Sequence, residues 1–330
     1  MTIIVPMYLA EAYVDECLGS VLRQTHTALQ VIVVDDGSPD ASADIATAWS
    51  SRDARVEVIR SPHAGAASAR NAGLEMLAGD YVTFVDADDV VHARYVADLL
   101  SAARATGADL VVSGLSQYPD GGQPLYRAPT SVVTCAPDAM LQRIVTTGVG
   151  FSSCGKLMRA HVFDSVRYRS GLPFEDLGVL PALFAAATLV AETDAIGYGY
   201  RRHADSTEGG HQRVVKTDLL RVLALNIADA RRRHGSSSAS AQRLVVGYVL
   251  HAAKSLEGQA DRESTREDDF DQAYRELLRG AMGDVRQSTD LSLAYKTALA
   301  ISAVSPRGFV SIFGLARRLK ATLLPQLRRR

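Results

Sequence analysis

Three observations predict an α/β fold, a mainly parallel, Rossmann-like sheet flanked by helices, with a helical C-terminal extension. Over the first 115 residues, short β-branched runs alternate with helical patterns, as in parallel strands joined by crossover helices. Acidic clusters stand where the second and fourth runs end. Beyond residue 212 the pattern is almost wholly helical.

The elements follow in order. Residues 2–5, 29–35, 56–60, 81–85 and 110–115 read as strands. Between them, residues 12–22, 42–50, 66–77 and 93–105 have the 3.6-residue apolar period of helices. Residues 119–130 turn to Gly, Pro and polar side chains and read as a loop. A helix over 137–147, a segment at 153–163, a helix after Glu175-Asp176 and a strand-like 196–200 supply a second layer, the other wall of a cleft. From residue 214 helices continue, with a polar break at Gly235-Ser236-Ser237-Ser238, a charged run at 261–271 and a stop at Ser305-Pro306. Two domains are expected, 1–212 and 213–330.

Composition narrows the function classes. The chain has 330 residues, 47% hydrophobic and 22% charged, with 25 Gly and 11 Pro, which excludes disordered, collagenous and coiled-coil proteins. Cys17, Cys135 and Cys154 form no C-x-x-C, which argues against a disulfide framework or structural zinc and for a reducing, cytoplasmic setting. The first residues lack a basic leader region, and the longest weakly polar stretch, 180–191, is shorter than the ~20 residues that span a bilayer. A soluble or peripheral protein is expected. Residues 1–100 carry 6 Lys/Arg against 15 Asp/Glu, a poor match for nucleic acid. Residues 291–330 carry 8 Lys/Arg and no acid, and the segment 315–330 mixes leucines with six cations. That tail reads as a helix packed on its own domain or as a peripheral contact with the inner face of an anionic membrane.

In doubly wound sheets ligands bind beyond the carboxyl ends of the strands. Asp35-Asp36-Gly37-Ser38 closes an apolar strand there, either as acceptors for a base or ribose or as a plain Asp-Gly turn. Asp86-Ala87-Asp88 spaces two hard oxygen ligands for Mn2+ or Mg2+, although it also suits an acidic loop before a helix. Glu175-Asp176 opens an apolar helical run, as first-turn acids or as a pair containing a general base.

These pieces, in this order, resemble the family 2 glycosyltransferases, inverting nucleotide-sugar enzymes with the GT-A fold. The resemblance rests on Ile3 to Tyr8 with Glu11, Cys17 to Thr25, Val33 to Ser42, Ala67 to Gly73 and Phe84 to Asp89, then more loosely on Gly155 to Arg159, Glu175-Asp176 and Tyr200 to Ser206. It implies that Pro6, Tyr8, Glu11 and Asp36 line a nucleoside pocket, with Asp36 on the base and Arg70 supporting the acidic site. Asp86 would meet ribose or metal, the Ala87 backbone would lie beside the sugar nucleotide, and Asp88 would hold the divalent cation on the diphosphate. Asp176 would be the base, with Glu175 orienting it or binding the acceptor. The implied reaction moves a sugar, from a UDP-sugar first of all, to a hydroxyl of a glycan, glycolipid or small molecule in bacterial polysaccharide or glycoconjugate synthesis. Where the family often has Asn after the tyrosine, Leu9 stands here.

His203 is a candidate ligand or phosphate contact, set against a plain surface histidine beside Arg201 and Arg202. Lys156 suits a phosphate or the solvent equally. The P-loop spacing from Gly150 to Lys156 lacks its hydroxyl residue, since Leu157 follows, and no G-x-G-x-x-G succeeds the first strand. The alternatives are a nucleotidyltransferase on a similar sheet and a non-catalytic nucleotide-sugar-binding or scaffold protein. Sugar, nucleotide, acceptor and oligomeric state stay open.

Overall fold

Strand β1 (Thr2–Met7) is buried at every position, which is why it reads as a continuous apolar run and not as an alternation. The structure, a computed structural model, describes residues 1–147, 150–203, 216–257, 267–289, 291 and 293–304. β1 lies between β2 (Gln30–Asp35) and β4 (Tyr81–Phe84), parallel to both, and β3 (Val56–Arg60) extends the parallel array beyond β2. Ile4 sits opposite Ile32 on one side and Phe84 on the other. Helices α1 (Val14–Leu22), α2 (Ser42–Ser50) and α3 (Ala66–Glu75) are the crossovers.

The second half of the sheet departs from this pattern. After β5 (Val90–Val91) and α4 (Tyr95–Thr106) come β6 (Leu110–Pro119), β7 (Val132–Cys135), α5 (Pro137–Thr147), β8 (Lys156–Arg159), α6 (Glu175–Ala186) and β9 (Val190–Arg202). The strand order is β3-β2-β1-β4-β8-β6-β9-β5, with β7 also on β9. β8 enters antiparallel between β4 and β6, while β6 and β9 run parallel. β5, β7 and β8 have 2, 4 and 4 residues, too short to show a period, so the sequence concealed them. The stretches expected at 110–115 and 196–200 are parts of longer strands, β6 and β9.

The chain divides into two compact units, Met1–Leu141 with Gly150–Arg213, and Gln142–Val149 with Val214–Arg330. In the second, α7 (Lys216–His234), α8 (Ala239–Glu257), α9 (Glu267–Gln287) and α10 (Leu293–Val304) bury Leu223, Val245, Val249, Tyr274, Leu278 and Leu299. Gly235 begins the expected polar break, between α7 and α8. Arg231 meets Asp284 at 2.5 Å, and Tyr274 Oη lies 3.1 Å from Ser302 Oγ, two polar pairings within this unit. Among the described residues, no helix is long and apolar enough to cross a membrane. The basic tail, its expected membrane contact, the Ser305-Pro306 stop and residues 261–266 of the charged run lie outside the described residues.

Two backbone positions bear on the cleft. α3 packs so closely on β1 that a Cβ at Gly73 would stand 2.5 Å from Ile4 Cγ2. Leu9, just beyond β1, has φ of 51°, a left-handed conformation that leucine adopts at a cost and asparagine more readily. With its side chain 54% exposed, Leu9 buries little in return. Leu9→Asn should therefore raise the unfolding free energy by about 0.5–1 kcal/mol in urea titration. Gly73→Ala should lower it by about 1–3 kcal/mol in the same assay, because Ile4 is held in the sheet and cannot retreat.

Candidate active site

The carboxyl ends of β1 and β2 make the first edge of the site. Pro6 is buried in β1 opposite Val34, and Tyr8 emerges 40% exposed with its ring stacked on His63 at 4.2 Å. Asp36 is 2% exposed. Its carboxylate accepts the N–H of Ala64 at 2.9 Å and of Gly65 at 2.8 Å, and His63 Nδ1 lies 2.9 Å from it. Asp36 thus anchors the turn that opens α3 and keeps acceptor capacity for one more donor. Glu11 is exposed and faces the start of α2: its carboxylate accepts Ala41 N–H at 3.0 Å, while its own N–H donates to Asp40 at 3.2 Å.

The centre is Arg70 on α3, 3% exposed. One terminal nitrogen donates to Asp86 at 2.9 Å, the other to Glu175 at 2.6 Å and approaches Asp176 at 3.8 Å. Burial opposes its charge, yet Asp176, Asp86 and Glu175 together hold its pKa above the ordinary value. The guanidinium fork spans groups 16 and 105 residues away in sequence, a bridge that a single ammonium point would not make. Burial raises Asp86 to about 6 even with Arg70 beside it.

Behind the acidic loop lies a brace that the sequence did not announce. Tyr198 Oη donates to Asp89 at 2.6 Å and accepts the Asp86 N–H at 3.1 Å. Arg201 donates its backbone N–H to Asp89 at 2.7 Å and its Nε to the Asp88 carbonyl at 2.9 Å. Asp89 is 1% exposed, and burial, reinforced by Asp86 and Asp88, raises it to about 8. Ala87, 5% exposed, is packed inward between Asp86 and Asp88, whose side chains keep 29% and 33% of their surface. His203 is not a surface residue: its side chain is 7% exposed, Nε2 lies 3.0 Å from Asp88 Oδ2, and its ring lies 4.5 Å from that of Tyr13.

This donor set fits a hard divalent cation. Asp88 offers carboxylate oxygen with His203 nitrogen beside it, and Asp86 is adjacent. Among the described residues no three His, Cys, Asp or Glu side chains form a full cage, so such an ion would take its other ligands from diphosphate and water, as Mg2+ commonly does.

Glu175 and Asp176 begin α6, directly after Phe174, which has φ of 60°. Ser153 Oγ donates to Asp176 Oδ1 at 2.6 Å, and Tyr168 Oη donates to Ser153 Oγ at 2.8 Å. Lys156 is withdrawn from solvent. It is 1% exposed, its Nζ donates to the carbonyls of Gly150 at 2.7 Å and Ser152, and burial lowers it to about 8 against the opposing charge of Asp176. It lies on a strand and not at a helix start, which disposes of the P-loop spacing. Ser153, Tyr168 and Tyr198 had no residue-type signal in the sequence, because each is recruited by long-range pairing, whereas Asp89 and Arg201 stand inside motifs quoted above with no role read for them.

The structure therefore brings Arg70, Asp86, Glu175 and Asp176 into direct contact, with Asp88 two residues along the same loop, and sets Tyr8 and Asp36 on the adjoining strand ends. A glycosyl transferase family 2 model matches residues 2–167, a stretch that ends before Glu175. GlyG, a glycosyltransferase of Streptococcus pneumoniae, is 29% identical over 216 residues, 62% of this chain and 72% of its own. YibD of Escherichia coli, an uncharacterized glycosyltransferase, is 37% identical over 255 residues, 69% of this chain and 72% of its own. The S. pneumoniae glycosyltransferase GlyA is 30% identical over 210 residues, but the match spans only 30% of its length. Among solved structures, Staphylococcus aureus TarS (1–349) in complex with UDP-GlcNAc superposes with a TM-score of 0.75 over 96% of this chain and 91% of its own, at 17% identity. With half its length matched by the family model and a relative 37% identical over most of both chains, this chain belongs to glycosyl transferase family 2 and is a glycosyltransferase.

Proposed function

We propose that the protein transfers a sugar from a nucleoside-diphosphate sugar, a UDP-sugar first of all, to an acceptor hydroxyl with inversion at the anomeric carbon. The observation that carries this reading is the guanidinium of Arg70, which joins Asp86 of the acidic loop to the Glu175-Asp176 pair, the groups assigned in this proposal to the diphosphate end and to the base. The UDP choice is supported by the likeness to TarS, which was captured with UDP-GlcNAc.

On this reading Tyr8 and Asp36 receive the nucleoside, Tyr8 through its exposed ring and Asp36 through its remaining acceptor capacity; Pro6 and Glu11 shape the strand end and the loop around them. Asp88, with Asp86, would hold Mn2+ or Mg2+, which supplies Lewis-acid stabilisation of the departing diphosphate. The buried Ala87 fixes the backbone between those two carboxylates. Asp176 takes the proton of the acceptor hydroxyl as its oxygen attacks the anomeric carbon. The bond from that carbon to the diphosphate breaks with its electron pair leaving on the nucleotide, and attack from the opposite face inverts configuration. Glu175, held by Arg70, orients the pair or meets the acceptor.

The domain division proposed is a catalytic GT-A domain over 1–212 and a helical region over 213–330 that bears on acceptor or interface. The acceptor class is a glycan, glycolipid or small molecule in bacterial polysaccharide or glycoconjugate synthesis, in the cytoplasm, either free or peripheral at the inner face of the membrane. The test pairs calorimetry with transfer. UDP should bind with Mn2+ and lose most of its affinity in chelator or in Asp88→Ala, whereas Asp176→Asn should bind UDP normally and lose transfer by about 100-fold or more. Equal transfer by Asp176→Asn would remove it as base, and metal-independent binding would remove the cation.

A further inference from the structure

We propose that Ser153 and Tyr168 are positioning residues for the Asp176 carboxylate, a one-way chain of hydroxyl donors that reserves the oxygen Oδ2 for the proton. This rests on the assignment of Asp176 as base.

Each side chain in the chain has one hydroxyl proton, which fixes the direction of donation. Asp176, when ionised, can only accept, so the Ser153 proton is committed to Oδ1 at 2.6 Å. The Ser153 lone pairs then accept from Tyr168 Oη at 2.8 Å. Ser153 is fully buried and Tyr168 is 2% exposed, so water does not compete for these bonds. The Arg70 nitrogen also approaches Oδ1, at 3.8 Å. Oδ2 has no hydrogen-bond partner among the described residues, and the Asp176 side chain keeps 22% of its surface.

The donors are themselves immobilised. The Tyr168 backbone N–H donates to Asn71 Oδ1 of α3 at 2.9 Å and its carbonyl accepts from Asn71 Nδ2 at 2.8 Å, and its ring lies 5.6 Å from the Arg70 guanidinium and 5.5 Å from the Phe84 ring. Ser153 follows the turn whose carbonyls of Gly150 and Ser152 are held by the buried Lys156 ammonium. α3 thus grips the base twice, through Arg70 and through Asn71 and Tyr168. Misplacement of a reacting group by about 1 Å can cost about 100-fold in rate.

The test measures release of nucleoside diphosphate to water, with the full chain and Mn2+, from UDP-N-acetylglucosamine, UDP-glucose, UDP-galactose, GDP-mannose and dTDP-rhamnose, using whichever the wild type cleaves fastest. Ser153→Ala should lower kcat about 10- to 100-fold with donor KM within about twofold, and Ser153→Thr should recover most of the loss. Tyr168→Phe, which keeps the packed ring, should lower kcat about 3- to 10-fold, and the double variant should be no slower than Ser153→Ala alone. Wild-type kcat in Ser153→Ala, a change confined to KM, or additive losses in the double variant would overturn the proposal. If Ser153→Ala does not fold, Tyr168→Phe decides, and an unchanged kcat there overturns it. Asp176→Asn that still releases nucleotide, or a wild type that cleaves none of the donors, overturns the base assignment beneath the proposal, and the proposal with it.

Discussion

A single buried guanidinium holds the two halves of this site in one place. Arg70 brings its positive charge to the carboxyl edge of the sheet, where Asp86, Glu175 and Asp176 would otherwise repel one another. Removing a buried charge from its partners is costly, whereas a planar fork with two separate terminal nitrogens satisfies two carboxylates at once. The position of that fork is set by α3, and the position of α3 by its contact with β1 at Gly73 and Ile4. Sheet packing thus continues without a break into electrostatics at the cleft.

A second, independent brace holds the acidic loop from behind. Tyr198 and Arg201 of β9 grip Asp86, Asp88 and Asp89 through backbone and side chain, and Arg201 also reaches Glu16 at 2.5 Å and Asp120 at 3.0 Å. The Arg201 guanidinium also lies over the rings of Tyr13 and Tyr118, at 5.3 and 5.1 Å from their centroids. The loop therefore leaves Asp86 and Asp88 partly exposed while Ala87 and Asp89 are buried.

Much of this was legible in the sequence, for physical reasons that also mark where legibility stopped. β1, β2 and β4 are apolar runs ending in polar clusters, so both the strands and their functional ends could be read. β8 and β5 could not, being short and defined only by antiparallel partners far along the chain. Asp86, Asp88 and Asp176 announced themselves as clustered carboxylates. Lys156 and His203 looked like ambiguous polar residues, because burial by distant elements, and not local pattern, made one an internal fastener and put the other against Asp88. Phe174, in a left-handed conformation before the acid pair, carried no residue-type signal, since glycine or asparagine would be expected there.

The most direct measurement of the central claim is nucleotide affinity and turnover of Arg70→Lys, with circular dichroism as a control for folding. One ammonium cannot bridge both carboxylates, so the account predicts native dichroism with UDP affinity reduced about tenfold and kcat reduced about 100-fold together. A folded Arg70→Lys protein that binds and turns over like the wild type would contradict it.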